Sequence, residues 1–289
     1  MKRRLAIMMA LCVITLFSAN VTRAWWSGGH HSFTRTAISK LPEDVPAFLR
    51  NAAAEVSEIS SEPDIWKHPS APHLKSTEHP EHFIDIEYLD GQPIPKQRFD
   101  LTKIYVNKNV DLAQGGFLPY SIQEGYERLM VAFAEYRKHP EAPGLQQRIL
   151  VYAGWLAHYC QDAGMPLHTT RIYDGKPNPD PAAKPFQKGI HAKMDAYPER
   201  NGFTPEVVGE GMKAEHLDDV WAAILATIDA SHKLVETCYE LDLQGGFDKE
   251  PAKSREMMLE RSKACTKLTL DIWYSAWIDS AKLEFTKKE

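Results

Sequence analysis

Cysteine is scarce in this chain, with four in 289 residues. Cys12 lies in the first stretch, which leaves Cys160, Cys238 and Cys265. Three thiols are too few for a disulfide scaffold and allow at most one internal bridge. Cys238 and Cys265 fall on what read as two late helices and could pair, whereas Cys160 reads as a small apolar packing residue. No apolar run is long enough to span a membrane: that from Leu5 to Phe17 falls short of the roughly 20 residues required. An excess of positive charge is also missing. With 34 basic against 39 acidic residues the net charge is −5, which excludes a protein that holds nucleic acid through a basic face. No internal repeat is visible, which points to one domain.

What is present begins with "MKRRLAIMMALCVITLFSANVTRA": three basic residues, an apolar run and a small-residue site at Ala24. The pattern predicts a secretory signal over residues 1–24, a mature chain from Trp25 to residue 289, and a secreted or periplasmic protein. The rival readings fit less well. A membrane anchor needs a longer run, and a lipoprotein signal at Cys12 has Leu11 where a small residue is needed. Without residues 1–24 the balance becomes 30 basic against 39 acidic residues, or −9. Any affinity for phosphate then has to come from something other than net charge, and bound cations are the obvious source.

Periodicity predicts an all-α chain, a single mostly helical domain with two long loops that shape a cleft. Helices are expected through "HHSFTRTAISKL", "EDVPAFLRNAAAEVSEIS" (opened by Glu43 and Asp44), "SIQEGYERLMVAFAEYRKH" and "PGLQQRILVYAGWLAHYCQDA". Two more follow. One carries Leu217, Val220, Trp221, Ile224, Leu225 and Ile228 on its apolar stripe, the other Leu268, Ile272, Trp273, Ala276 and Trp277. Residues 62–120 read mostly as loop, with "KIYV" as the only strand-like fragment, and residues 169–190 as a second loop.

The chemistry concentrates in "GWLAHYCQDAGMPLHTT", residues 154–170. His158 and Asp162 are four apart and share one helix face. Gly164 and Pro166 then break the helix before His168. A single His and Asp at this spacing is as readily a hydrogen-bonded pair as a metal site. The spacing recurs, however, at His191 and Asp195, and His30, Asp64 and His82 add further donors. Zinc takes nitrogen and oxygen ligands and keeps a position open for water in catalytic sites. A carboxylate can bridge two ions, and paired metals can hold both ends of an in-line displacement.

In their order along the chain, Trp25, His30, Asp64, His82, His158-x3-Asp162-x5-His168 and His191-x3-Asp195 resemble the pattern of the superfamily of S-one/P-one type zinc nucleases and bacterial zinc-dependent phospholipases C. The likeness runs from Trp25 to about Asp195. It implies an all-α fold with a trinuclear zinc cleft. One zinc would be held by Asp64, His82, His158 and Asp162. A second, bridged by Asp162, would be bound by His30 and the amine and carbonyl of Trp25, and a third by His168, His191 and Asp195. The free amine would exist only after cleavage at Ala24. "WWSGGHH" permits a second register, Trp26 with His31, but the nuclease pattern has Gly before the His and favours Trp25 with His30. His31 is then a surface or supporting residue. His68, His73, His79, His139, His216 and His232 match no ligand position.

Three zincs against Asp64, Asp162 and Asp195 would leave the cleft at about +3, enough to draw a phosphate to an acidic protein. The expected reaction is attack of a zinc-activated water on phosphorus, with the third zinc stabilising the departing oxygen. Asp64 would orient the nucleophile. Lys67 stands where the nucleases carry a phosphate-binding arginine, though a solvent-facing lysine is the equal alternative.

The leading expectation is a secreted single-strand-preferring endonuclease and 3′-nucleotidase, working as a monomer without a stable protein partner. On the nuclease pattern Phe83 would stack on a base and Asp85 hydrogen-bond it, which suits unpaired bases. Three features besides "HFID" lean the same way: the short Trp-to-His spacing, Asp195 in place of Glu, and the long interval from His168 to His191. Against it, "GIHAKMD" looks more like the phospholipase version, and the cysteines of the fungal nucleases are absent. The alternatives are a zinc-dependent phospholipase C, which calls for an exposed apolar rim on residues 87–117, and a periplasmic zinc- or partner-binding protein without turnover. No role is evident for "GGFLPYSIQEGYERL".

Overall fold

A computed structural model describes residues 25, 27–180 and 182–284 of the chain. The expected signal segment, and Trp26 of the alternative register, lie outside the described residues. Among those described, helices are joined by turns, and β-structure amounts to two isolated bridges, Ile84 with Gly116 and Lys176 with Phe186. The expected all-α class is what is found.

Three long helices form the frame. Leu118–Lys138 and Pro143–Asp162 pack on each other and both pack on Arg255–Ser280. Two of them start with proline: Pro119 and Pro143 stand in the first turns, where a missing N–H costs nothing. Their apolar stripes, among them Leu129, Phe133, Ile149, Leu156, Leu268, Ile272 and Trp273, merge into one core. Burial of each such side chain contributes roughly 1.5–3 kcal/mol. The N-terminal helix Ser27–Ser39 lies against this frame and against Ala53–Ile59. A second core gathers Trp25, Phe33, Met165, Leu167, Ile190, Met194, Met258 and Cys265. His158 and Asp162 stand at the end of their helix, where the chain passes from the first core to the second.

Several expectations need correction. "KIYV" lies in the helix Arg98–Asn107, where burial of Leu101 and Tyr105 at helical spacing overrides the β-preference of Ile, Tyr and Val. Residues 62–120 carry four complete α-helices, Glu62–Trp66, Pro72–Glu78, Arg98–Asn107 and Leu112–Gly115, and two short 3-10 helices, His79–His82 and Ile86–Leu89, in place of a loop. The helix expected from Glu43 starts only after Pro46 and is cut at Asn51 into Ala47–Arg50 and Ala53–Ile59. Leu217 precedes its expected helix, which opens at Val220 with the Asp219 carboxylate accepting from the Ala222 N–H at 3.0 Å. The possible Cys238–Cys265 bridge is absent: Cys160, Cys238 and Cys265 are all free and buried.

The break after Asp162 has a packing reason. A Cβ at Gly164 would stand 2.4 Å from the Cβ of Cys265 and 3.1 Å from the Arg261 carbonyl oxygen. Only glycine lets the turn pass so close to the C-terminal helix. Gly164→Ala is therefore expected to destabilise the fold by about 1–3 kcal/mol through overpacking, read as a lower denaturant midpoint at unchanged m-value. An unchanged midpoint would refute the close approach.

Candidate metal centre

The helix end delivers His158 and Asp162 side by side, with His158 Nε2 3.3 Å from Asp162 Oδ2. Both are fully buried. Around Asp162 the fold assembles three more histidines. His82 Nδ1 lies 3.1 Å from Oδ2, while His30 Nε2 lies 3.7 Å and His168 Nδ1 3.6 Å from Oδ1. The two oxygens thus face different imidazoles, as a bridging carboxylate would. His30 stacks on His158 with ring centroids 4.2 Å apart.

Three groups have donor atoms that all lie within 4.8 Å of one another: His30, Asp64 and His158; His82, His158 and Asp162; and His168, His191 and Asp195. The third is the expected third ligand set. The first two divide the remaining residues differently from the expectation, because His30 reaches Asp64 and His158 and so makes His158 common to both groups. Trp25 is fully buried, and its indole N–H donates to the Gln161 carbonyl at 2.9 Å. Its main chain is near enough to Asp195 to lower that carboxyl slightly against burial, although neither Asp195 oxygen has a hydrogen-bond partner. The Trp25 main chain thus lies near Asp195 of the third group.

The imidazoles are held by partners that the sequence did not point out. His158 Nδ1 donates to the Ser60 carbonyl at 2.8 Å, and His168 Nδ1 to the His82 carbonyl at 2.7 Å. His30 Nδ1 donates to Gln161 Oε1 at 2.6 Å, and the Gln161 amide in turn donates to Thr34 Oγ1 at 2.9 Å. Each bond leaves the proton on Nδ1 and directs Nε2 at the cluster, the arrangement that tunes metal-binding histidines. Gln161 could have been suspected only from its place beside Asp162. Gln161→Leu is expected to weaken metal binding roughly 10–100-fold with the fold retained, measured by chelator competition; wild-type affinity would exclude the orienting role.

Without cations these groups are in electrostatic difficulty. Burial holds His30 and His191 down to about 4, and His158 below its ordinary value. It drives His82 and His168 well below the usual imidazole range. Burial likewise raises Asp162 and Asp195 well above the usual carboxylate range, reinforced for Asp195 by Asp64 and Asp162. Asp162 Oδ1 and both Asp195 oxygens have no hydrogen-bond partner. His168 Nε2 faces His191 Nε2 at 3.1 Å. Divalent cations would reverse this situation by giving every lone pair a partner.

Asp64 differs from the other two carboxyls. Burial raises it, but the Lys67 ammonium at 2.6 Å and the His158 and His30 imidazoles outweigh that, and it sits below the ordinary carboxylate value. Lys67 is buried, so the solvent-facing alternative does not hold.

A cavity of 390 Å³ opens beside the cluster, lined by Lys67, His82, His168 and His191 and also by Phe83 and Asp85. His79, set aside in the sequence, lines it too, with its ring 5.3 Å from that of Phe83. His31, by contrast, is half-buried and reaches Ser61 Oγ at 3.4 Å and Glu58 at 3.9 Å.

"GGFLPY" proves to clamp the backbone of the segment that carries Phe83 and Asp85. Asp85 N–H donates to Gly115 O, Phe117 N–H to Pro80 O and Leu118 N–H to Phe83 O, at 2.9, 2.7 and 3.0 Å. Gly116 has φ 82°, and a Cβ there would stand 2.2 Å from Phe83 O. Backbone approach this close requires glycine.

No family model and no curated protein matches the chain. Twelve solved chains do. One is the alpha toxin from Clostridium absonum, 14% identical, with a TM-score of 0.46 over 91% of this chain. This chain spans 66% of the toxin's length.

Proposed function

We propose that this protein is a zinc-dependent hydrolase of phosphate esters. One observation carries the reading: three buried groups of imidazoles and carboxylates converge, with carboxylate oxygens that no hydrogen bond satisfies. The all-nitrogen and all-oxygen donor set fits zinc. His158, Asp162, His82, Asp64 and His30 would hold the paired ions, and His168, His191 and Asp195 a third, with the Trp25 main chain as a further donor. Zinc, when bound, supplies Lewis acidity towards water and phosphate. Asp64, whose carboxyl is held below its ordinary value beside Lys67, is suited to orienting a water. Lys67, held against it, offers charge to a phosphate oxygen without the two-pronged grip of arginine.

For the substrate class we favour a phospholipid. The phospholipase reading called for an apolar rim on residues 87–117, and Phe99, Val106 and Leu112 are exposed there, Phe99 by 77%. Phe99 and Val106 are seven apart on one helix and share its outward face. The nuclease and 3′-nucleotidase reading retains support from Phe83 and Asp85, which line the same cavity as His82 and His191. The two separate in one experiment. The zinc-loaded mature protein is given phosphatidylcholine vesicles, single-stranded DNA and RNA, and 3′-nucleotides, with a His158→Ala control. Release of phosphorylated headgroup supports the first reading and cleavage of nucleic acid the second. Zinc uptake with every ester intact would instead leave a zinc-binding protein without turnover.

Asp85 adds a pH dependence to either reading. Burial, with help from Glu87, lifts its carboxyl to about 8. It is thus neutral and a donor at pH 7, and becomes an anion as pH rises through 8. KM for an anionic ester is expected to climb above that pH in the wild type and to stay level in Asp85→Asn. Parallel profiles for the two proteins would refute the assignment.

A further inference from the structure

His82 is oriented differently from its neighbours. Where His30, His158 and His168 donate Nδ1 to fixed acceptors, His82 turns Nδ1 into the cluster, 3.1 Å from Asp162 Oδ2 and 2.9 Å from His158 Nε2. A ligating nitrogen must present its lone pair, so a His82 that binds metal through Nδ1 carries its proton on Nε2. That atom is buried and makes no hydrogen bond. It lies 3.7 Å from Glu78 Oε1, one helical turn back along the chain. Glu78 is largely buried, and its Oε1 accepts from the Tyr159 hydroxyl. Tyr159 belongs to the helix that carries His158 and Asp162. The carboxylate is thus anchored to the same element as the cluster it supports.

We infer that Glu78, held by Tyr159, is the positioning residue for His82: its carboxylate accepts a hydrogen bond from Nε2–H, fixing the Nδ1-ligating tautomer of His82. The inference rests on the metal-centre reading. A contraction of at least about half an ångström brings the 3.7 Å separation into hydrogen-bond range. The Glu78 carboxylate, the His82 ring and the cluster then form the relay in which an outer carboxylate raises the basicity of a histidine ligand.

The test measures zinc affinity by competition with a chromophoric chelator, and the His82 tautomer by nitrogen-15 NMR, on folded wild type, Glu78→Ala, Glu78→Gln and Tyr159→Phe. In zinc-loaded wild type the His82 proton is expected on Nε2. Glu78→Ala should weaken one of the bound ions roughly 10–100-fold and leave the others. Glu78→Gln, whose amide oxygen still accepts, should restore most of the loss, and Tyr159→Phe should weaken binding by only a few-fold. Should Glu78→Ala fail to fold, Tyr159→Phe and the wild-type tautomer decide the question. A proton on Nδ1 in the loaded protein, or wild-type affinity in folded Glu78→Ala, overturns the role of Glu78 alone. A wild type that takes up no metal overturns the metal centre and the positioning role with it.

Discussion

Asp162→Ala is expected to empty the paired part of the centre while the ion at His168, His191 and Asp195 stays. Hydrolysis should fall by well over the roughly 100-fold that losing a mere supporting hydrogen bond can cost. The reason lies in the two oxygens of this carboxylate. Oδ2 faces His82 and His158, and Oδ1 faces His30 and His168. No other carboxylate among the described residues stands opposite four histidines. Its removal leaves the imidazoles confronting one another with nothing to draw a cation between them. Metal content after exhaustive dialysis, together with steady-state turnover, checks both parts. Retention of the full metal complement with near-normal turnover would deny Asp162 its central place.

Stripping the metal should cost stability as well as activity. The apoprotein buries carboxyls raised far above their usual range and imidazoles held below theirs, with Asp162 Oδ1 and both Asp195 oxygens lacking a hydrogen bond. Ions that bind only the folded chain stabilise it by mass action, by about 2.7 kcal/mol for each site held at 100 times its dissociation constant. For a chain of this size that corresponds to roughly 5–10 °C in Tm. Melting with and without EDTA, followed by zinc add-back, provides the measurement. An EDTA-treated protein that melts at the same temperature, with no heat on zinc add-back in calorimetry, would rule out any tightly held ion.

Much of the helical plan was legible because helix formation is local. Pro143, the apolar stripe of Ile149 and Leu156 and the Gly164 break are all read within one window, and the helix Pro143–Asp162 follows them. Residues 62–120 carry no clear helical signal in sequence because the short helices there are held by tertiary contacts. Tyr105 is the example: its hydroxyl donates to Gly115 O at 2.9 Å, a bond that no periodicity announces. The exposed Phe99 and Val106 confused the same segment, since an outward apolar face weakens the amphipathic pattern that marks a helix.

The candidate site divides along the same line. Spacing alone placed His158 beside Asp162 and His191 beside Asp195, since residues four apart on a helix must share a face. Composition alone withheld a basic surface, so that any attraction for phosphate has to be local. Tertiary structure decided the rest: that His30 stacks on His158, that Lys67 is buried against Asp64, that Glu78 faces His82, and that Cys238 and Cys265 stay apart. These depend on how separate helices cross. The energy that sets the crossing is spread over many weak contacts distant in sequence, whereas the helical repeat is built into the backbone itself.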